Sequence, residues 1–509
     1  MKKLPIGIST FKKIREENYI YVDKTKEILD LIQSYEYVFL SRPRRFGKSL
    51  FLDTLKEVFE GNKELFKGLY IYDKYDFEPH PVIKISWAGY FKTLDSTKKV
   101  ALTILRENQK KLDVYCEEQT EPSSCFAELI RKTYEKYNKK VVILIDEYDK
   151  PIIDNIEDIE IAKQNREFLR GFYTVIKDSD AYVRFAFLTG VSKFSKVSIF
   201  SGLNNLVDIS LNPKYYKICG YTHNNLLNEF KEHLEGADLE EVREWYNGYN
   251  FLGKEKVYNP FDILLFIDSG LEFNNYWFKT ATPTFLIKLL EKRNYDVIKF
   301  ENLEVGESIL DSFDITKIKL ESLLFQTGYL TIKKKKKVGR INKYILTFPN
   351  LEVRSSFNDF LLDYLTDDIY IKETSQDKLY TVLYEGNLEK LEEVLRSIYS
   401  SVPYHYFTKN KMYKYENYYV VVLYMYMAGL GLDVIPEDIT NSGRIDLTVK
   451  LEDKTYIFEF KVSEEKALEQ IKDRKYYQKY LDSKEIYIVG IIFDDKEKNV
   501  KSVVWEKVK

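Results

Sequence analysis

The chain has 509 residues, 44% of them hydrophobic and 31% charged, with a formal net charge of −2. That length exceeds one ordinary hydrophobic core and implies roughly two to four domains. A near-zero net charge excludes neither nucleic-acid nor protein partners, so any nucleic-acid reading must rest on local patches.

From residue 1 to about 215, continuous apolar runs alternate with helical patterns: Tyr37–Leu40, Pro81–Ile85, Val141–Ile145 and Phe185–Leu188. Buried strands separated by helices predict a parallel sheet covered on both faces. After the first strand, Ser41–Phe46 reads as a loop and Ser49–Glu60 as an amphipathic helix. Its Leu52, Leu55, Val58 and Phe59 recur at helical spacing before Gly61. Gly47-Lys48-Ser49 at that helix start suits a phosphate-binding loop. Backbone N–H groups hold phosphate oxygens there, Lys48 reaches the β/γ-phosphates and Ser49 ligates Mg²⁺. The full run is Arg42-Pro43-Arg44-Arg45-Phe46-Gly47-Lys48-Ser49, with arginine where the consensus has glycine. Arg44 and Arg45 add positive charge near the phosphates. Downstream, Asp146 ends an apolar strand and can hold Mg²⁺ through water, while Glu147 can polarise the attacking water. A further strand ends in Thr189-Gly190-Val191-Ser192, where Thr189 or Ser192 could sense the γ-phosphate.

From about 216 to 375 the pattern is mainly helical, broken at Asn247–Asn250, Asn259-Pro260 and Thr282-Pro283. A hairpin follows, Tyr329–Ile332 and Tyr344–Phe348 about a turn near Val338–Arg340. It carries the lysine run Lys333–Lys337, either a wing touching DNA phosphates or a solvated arm. From about 380 onward helix, helix, strands, helix and strands form a compact α/β unit. Within it Ile445–Lys450 and Thr455–Val462 read as antiparallel strands about Glu452-Asp453, which would set Asp446 directly opposite Glu459. Glu459 and Lys461 share a strand face. Two carboxylates converging with a lysine can bind one or two Mg²⁺ or Mn²⁺ ions and hydrolyse a phosphodiester. Lys461 would position the nucleophile or neutralise the scissile phosphate.

The run Ser41–Leu50 resembles the signature of bacterial predicted AAA-ATPase-like proteins carrying a C-terminal PD-(D/E)XK nuclease domain. Tyr21-Val22-Asp23-Lys24-Thr25, Tyr258-Asn259-Pro260-Phe261, Gln326–Thr331 and Phe348–Val353 are similar to further landmarks of that family. There arginine for glycine at the loop's start is the usual form. The resemblance implies an α/β architecture in three parts. These are a P-loop NTPase parallel sheet over 1–215, a helical, winged-helix-like middle region over 216–375 and a PD-(D/E)XK nuclease-like domain over 380–509. By the same resemblance Glu416, at the start of the helix Tyr418–Met427, matches the family's helical acid. Gln470 and Tyr476 or Tyr477 match its accessory positions on the following helix, and Ile486–Phe493 its later core strand.

The expected activity is an ATP-binding and ATP-hydrolysing protein coupled to a Mg²⁺- or Mn²⁺-dependent DNA endonuclease. Glu147, Asp446, Glu459, Lys461, Glu416 and Gln470 act in catalysis. Arg44, Arg45, Phe46, Gly47, Lys48, Ser49, Asp146 and Thr189 hold the nucleotide. Ser49, Asp146, Asp446 and Glu459 hold metal. The alternative is a non-catalytic nucleotide switch whose C-terminal domain only binds DNA or a protein. ATP and DNA are the expected partners, and a homo-oligomer is compatible with this organisation. Cys116, Cys125 and Cys219 form no C-x-x-C, so reduced thiols in a cytoplasm are expected rather than a disulfide or zinc site. His80, His223, His233 and His405 show no ligand spacing. The start Met1–Gly7 lacks the apolar stretch of a signal peptide. The apolar run Tyr418–Leu432, about fifteen residues, is too short for a bilayer.

Overall fold

The computed structural model describes residues 1–193, 203–278, 290, 296–311, 318–366, 368–401, 416–463 and 466–509. The expected break at Thr282-Pro283 and His405 lie outside them. The chain divides into two compact units, Met1–Ala281 with Leu303–Asn350, and Thr282–Asn302 with Leu351–Lys509.

In the first unit, β1 (Tyr37–Ser41), β2 (Val82–Ser86), β3 (Val141–Asp146), β4 (Val183–Gly190) and β5 (Val207–Asp208) form one sheet in the order β2-β3-β4-β1-β5. Every pairing is parallel. The uninterrupted apolar runs explain this, because β1 and β3 are buried along nearly their whole length by helices on both faces. The strand ends Ser41, Asp146 and Gly190 emerge together at the carboxyl edge of the sheet, where α/β proteins bind ligands.

The sequence places a boundary near residue 215, whereas the chain stays in the same unit beyond it. Tyr215, Ile218, Cys219, Tyr249, Phe251 and Val257 are buried in one core with Val38, Leu40, Phe46 and Phe187, so these segments complete the sheet's cover. The ribbon β6 (Asn247–Tyr249) and β7 (Val257–Tyr258) belongs to this unit. So does the sheet of β8 (Leu303–Gly306), β9 (Thr331–Val338) and β10 (Ile341–Thr347), ordered β8-β10-β9. The predicted hairpin is present, with its first strand running on through the lysines. The helix Leu351–Leu365, placed with the middle region by sequence, instead packs on the helix Glu416–Gly429 in the second unit.

The second unit holds β11 (Asp433–Ile439), β12 (Arg444–Leu451), β13 (Lys454–Val462), β14 (Glu485–Asp494) and β15 (Asn499–Lys507), in sequential order. β13 and β14 are parallel, linked by a crossover containing the helix Ala467–Arg474, and the other pairings are antiparallel. The β12–β13 turn is the predicted two-residue one, with Leu451 paired to Lys454 and Glu452 at φ 50°.

One cysteine expectation is corrected. Cys116 and Cys125, nine residues apart in sequence, form a disulfide pair with Cα atoms 5.4 Å apart. The chain reversal between the helices Leu94–Leu112 and Pro122–Tyr137 brings together residues whose spacing matches no linear motif. Cys219 is a free, buried thiol. Among the described residues no helix is long and apolar enough to cross a membrane.

Candidate functional site

The first site is a cavity of 610 Å³ in the N-terminal unit, lined by Arg44 to Phe51, Glu147, Asp149, Lys24, Cys219 and Phe261 among others. The helix Lys48–Phe59 opens into it from Gly47, at φ 89°, with no side chain capping its first N–H groups. Those donors and the positive helix end suit an anion. Lys48 is buried, and its ammonium donates to the carbonyls of Arg42 (3.0 Å) and Pro43 (2.8 Å). Burial lowers its pKa, with Asp146 the strongest opposing charge. Ser49 is half-buried on the cavity wall.

Arg42 explains the missing glycine. It extends β1 by donating its N–H to the Gly190 carbonyl, 3.2 Å away, so no tight turn falls there. The left-handed residues of the loop are Arg45 (φ 67°) and Gly47. The Arg42 guanidinium points inward, 1% exposed, and donates to the carbonyls of Ser41 (2.9 Å), Ser210 (2.6 Å) and Tyr215 (3.2 Å). It also stacks 3.8 Å from the Phe251 ring. Arg45 stacks 3.9 Å from Phe261 at the cavity's far wall, while Arg44 is exposed beside it. The Phe46 ring lies in the core at 4.8 Å from Tyr249, so it anchors the loop and does not face a ligand.

At the end of β3, Asp146 is buried and its carboxylate accepts the Glu147 N–H at 3.0 Å. Glu147 is accessible and held at φ 52°, a strained conformation for a residue other than glycine. Lost hydration and then Asp146 push its carboxyl pKa up. Two expected phosphate sensors are otherwise engaged. Thr189 is buried and donates its hydroxyl to the Leu40 carbonyl at 2.8 Å, which joins β4 to β1. The Ser192 hydroxyl is bound by Asp149, which also accepts the Ser192 N–H at 2.6 Å. Asp149 thereby ties the ends of β3 and β4 together. Its pKa is raised by burial, against those hydrogen bonds.

Lys24 was not singled out by the sequence, although it lies in the Tyr21–Thr25 landmark. It lines the cavity, and burial pulls its pKa down to about 8. Its neighbour Asp23 is occupied with Thr25 and the Tyr70 N–H, at 2.7–2.8 Å.

The second site lies on β12 and β13. The ladder extends to Leu447–Phe458, one step short of Asp446 and Glu459. There Asp446 turns to accept the Phe460 N–H at 2.9 Å. Glu459 is 1% exposed. Its Oε1 accepts from Gln470, while its Oε2 is buried with no hydrogen-bond partner. Lys461 donates to Glu416 (3.3 Å), Glu459 (3.5 Å) and the Phe460 carbonyl (3.1 Å). All five expected residues therefore converge.

Burial, then Asp446, raises the Glu459 pKa, and burial raises that of Asp446. Burial pulls Lys461 down, but Glu416, Glu459 and Asp446 outweigh it, and the net shift is upward. A buried carboxylate oxygen without a donor is costly, and a divalent cation satisfies it. Among the described residues no three His, Cys, Asp or Glu side chains form a ready ligand cluster. Mg²⁺, which typically takes one or two carboxylates and completes its shell with water and phosphate, fits such a donor set.

Two further residues support this centre, of which Gly490 was not read from the sequence. Gly490 pairs with Glu459 across the parallel ladder. A Cβ there would meet the Leu468 nitrogen at 2.7 Å, so the glycine lets the helix bearing Gln470 approach. Tyr476 donates to the Arg444 carbonyl at 3.0 Å and lies against Gly443, pinning the entry to β12. Its partner candidate Tyr477 packs on the hydrophobic cluster of Ile445 and Ile457. His80, His223 and His233 bind, in turn, the Lys140 carbonyl, the Tyr258 hydroxyl and the Lys2 carbonyl.

Comparison with known proteins matches residues 5–200 to the predicted AAA-ATPase family and residues 414–503 to the PD-(D/E)XK nuclease superfamily. A protein of Azotobacter chroococcum mcd 1, described as an uncharacterized protein in the vnfD 5' region, is 46% identical over 518 residues. The alignment covers 100% of this chain and 99% of that protein. The chain belongs to the predicted AAA-ATPase family with a C-terminal PD-(D/E)XK nuclease domain. No solved structure matches it. Each family match falls on one of the two sites, the AAA-ATPase match on the cavity and the PD-(D/E)XK match on Glu416 to Gly490.

Proposed function

We propose that this protein binds and hydrolyses ATP in its N-terminal unit and cleaves DNA phosphodiesters in its C-terminal unit, with nucleotide state regulating cutting. The observation that carries the nuclease reading is the convergence of Asp446, Glu459, Lys461, Glu416 and Gln470 around the partnerless Glu459 Oε2. Asp446 and Glu459 would hold Mg²⁺ or Mn²⁺. The bound ion supplies an acidified water and charge neutralisation at phosphorus. Gln470 fixes the Glu459 carboxylate. Lys461 keeps its proton at neutral pH and can move from its internal acceptors to the substrate phosphate.

In the N-terminal cavity, Lys48 would exchange the Arg42 and Pro43 carbonyls for β/γ-phosphate oxygens. The uncapped N–H groups after Gly47 would take the remaining oxygens. Ser49 and Asp146 would hold Mg²⁺, and the strained, accessible Glu147 would orient the attacking water. The apolar remainder of the cavity, including Ile8, Tyr21, Val22 and Leu264, suits a nucleobase.

The test is nicking of supercoiled plasmid with Mg²⁺ or Mn²⁺ titrated, with and without ATP. Asp446→Ala should remove nicking while circular dichroism shows the fold intact. Lys48→Ala should remove ATP binding and its effect on nicking. Undiminished nicking by folded Asp446→Ala rejects this centre. A wild type inert under every condition leaves the switch reading, in which the C-terminal domain only binds.

A further inference from the structure

The β9–β10 hairpin presents charge that neither proposed centre uses. β10 pairs with β8 only from Lys343 to Leu346, so Ile341 and Asn342 with the facing Lys337 and Val338 extend as a two-stranded ribbon beyond that sheet. β9 is the edge strand and carries Lys333, Lys334, Lys335, Lys336 and Lys337 in succession. Alternation puts these side chains on both ribbon faces, neighbours on one face being ~6.6–6.8 Å apart. Lys336 is paired directly across from Lys343, a like-charge placement that destabilises a sheet. Glu304 offsets both, at 2.6 Å and 3.9 Å. Lys334, Lys337 and the turn residue Arg340 have no ion-pair partner within 4.0 Å among the described residues, and Lys335 sits over the Tyr344 ring.

The base of the arm is fixed. Ile332, Tyr344 and Leu346 are buried, and Thr331 accepts the Asn250 N–H at 2.8 Å. One or two lysines suffice to protect an edge strand from aggregation. A rigid ribbon with five in a row, two of them on a face that already carries Lys343, exceeds that need.

We propose that this ribbon is a binding arm for duplex DNA, gripping the phosphate backbone without reading sequence. A two-stranded ribbon fits the major groove, and the lysines offer point charges to phosphates on either side of it. Their flexible ammonium groups act on phosphates as point charges and impose no fixed bidentate geometry on a base. The proposal extends the DNA-cutting reading by naming where the substrate is held, and it is tested without cutting.

The experiment measures binding of a 30-bp mixed-sequence duplex to the full-length protein by fluorescence anisotropy. It is done in EDTA without nucleotide, across a range of salt concentrations. The quadruple variant Lys333→Thr, Lys334→Thr, Lys336→Thr and Lys337→Thr keeps strand-forming residues. It should bind at least 10-fold more weakly at moderate salt, with the log–log salt slope shallower by up to about 3.6, since each lost phosphate contact removes ~0.9. The corresponding quadruple arginine variant should retain the wild-type slope. Glu304→Gln, which frees Lys336 and Lys343, should tighten binding. ATP binding by each variant reports that the unit is folded. An unchanged slope and affinity in the folded threonine variant overturns the proposal. So does wild-type binding to phosphatidylserine vesicles but not to the duplex. Loss of nicking in Asp446→Ala with duplex binding retained separates this arm from the nuclease centre, whose failure would leave the arm standing.

Discussion

Replacing Arg42 with glycine would complete the usual phosphate-loop consensus, yet the structure requires it to damage the protein. The guanidinium holds the carbonyls of Ser210 and Tyr215, both in buried residues, and stacks on Phe251. Each buried carbonyl left without a donor costs ~1–3 kcal/mol, and the desolvated cation–π contact is worth about 2 kcal/mol. Glycine adds ~0.5–1 kcal/mol of backbone entropy. Against this, burial lowers the Arg42 pKa to about 10. At ~1.36 kcal/mol per pKa unit, the variant is relieved of roughly 3 kcal/mol of desolvation. The net loss is about 4 kcal/mol. A two-unit chain of this length does not unfold in one transition, so hydrogen exchange of β1 and β5 amides is the proper readout, and it should accelerate by ~10³-fold. Affinity for a fluorescent ATP analogue should fall with it, because the loop loses its anchor. Arg42→Met, which keeps bulk against Phe251, should be intermediate. A glycine variant that exchanges like wild type and binds nucleotide as tightly would refute the anchoring role.

Glu147→Gln should keep ATP binding and slow hydrolysis by ~10²–10⁴-fold; wild-type turnover would remove Glu147 from the water-orienting role. Gly490→Val should push the helix bearing Gln470 off β13, and nicking should drop by about 10²-fold with ATP binding intact. Full nicking by that variant would show the close approach to be unnecessary. Lys24, held down to about 8 by burial, is charged at pH 7 and largely neutral at pH 9. ATP should therefore bind more weakly as pH rises across that window, and Lys24→Arg, which stays charged, should flatten the profile. Identical profiles in wild type and variant would place Lys24 outside the binding surface.

Periodicity alone located β1, β3, β4 and the helix Lys48–Phe59 to within a residue or two, because those strands are apolar enough to be buried on both faces and that helix carries an apolar stripe; β14 was found only through the family resemblance. It missed β5, two residues long and held by pairing to Val38 and Phe39 rather than by its own pattern. Arg42 was legible as a departure from a motif, but its role depends on Ser210, Tyr215 and Phe251, which no local window connects to it. Thr189 and Ser192 have the right residue types at the right strand end. Whether a hydroxyl faces a ligand or its own sheet is decided by side-chain direction, and here the Leu40 carbonyl and Asp149 take them. Asp446, Glu459 and Lys461 were legible because a two-residue turn and strand alternation fix which face each occupies, whereas Glu416 and Gln470 came only from the family resemblance. Gly490 was not legible, since a glycine needed for helix approach looks like any other until the helix is placed.

The two centres share an electrostatic design that bears on how such a chain stays folded without ligand. Lys48 rests on two loop carbonyls, and Lys461 rests on Glu416, Glu459 and the Phe460 carbonyl. Each cation is thus held by internal acceptors that the proposed ligands would replace. What remains unsatisfied differs in sign. The N-terminal cavity offers uncapped helix donors to an anion, and the C-terminal centre offers a buried carboxylate oxygen to a cation. A ligand that binds only the folded state stabilises it, by about 2.7 kcal/mol at a hundredfold excess over its dissociation constant. On the proposed reading, the nucleotide's phosphates would answer one of these needs and a divalent ion at Glu459 the other. Neither would substitute for its counterpart, so each unit should gain a ligand-dependent stability of its own, and the two can be measured apart.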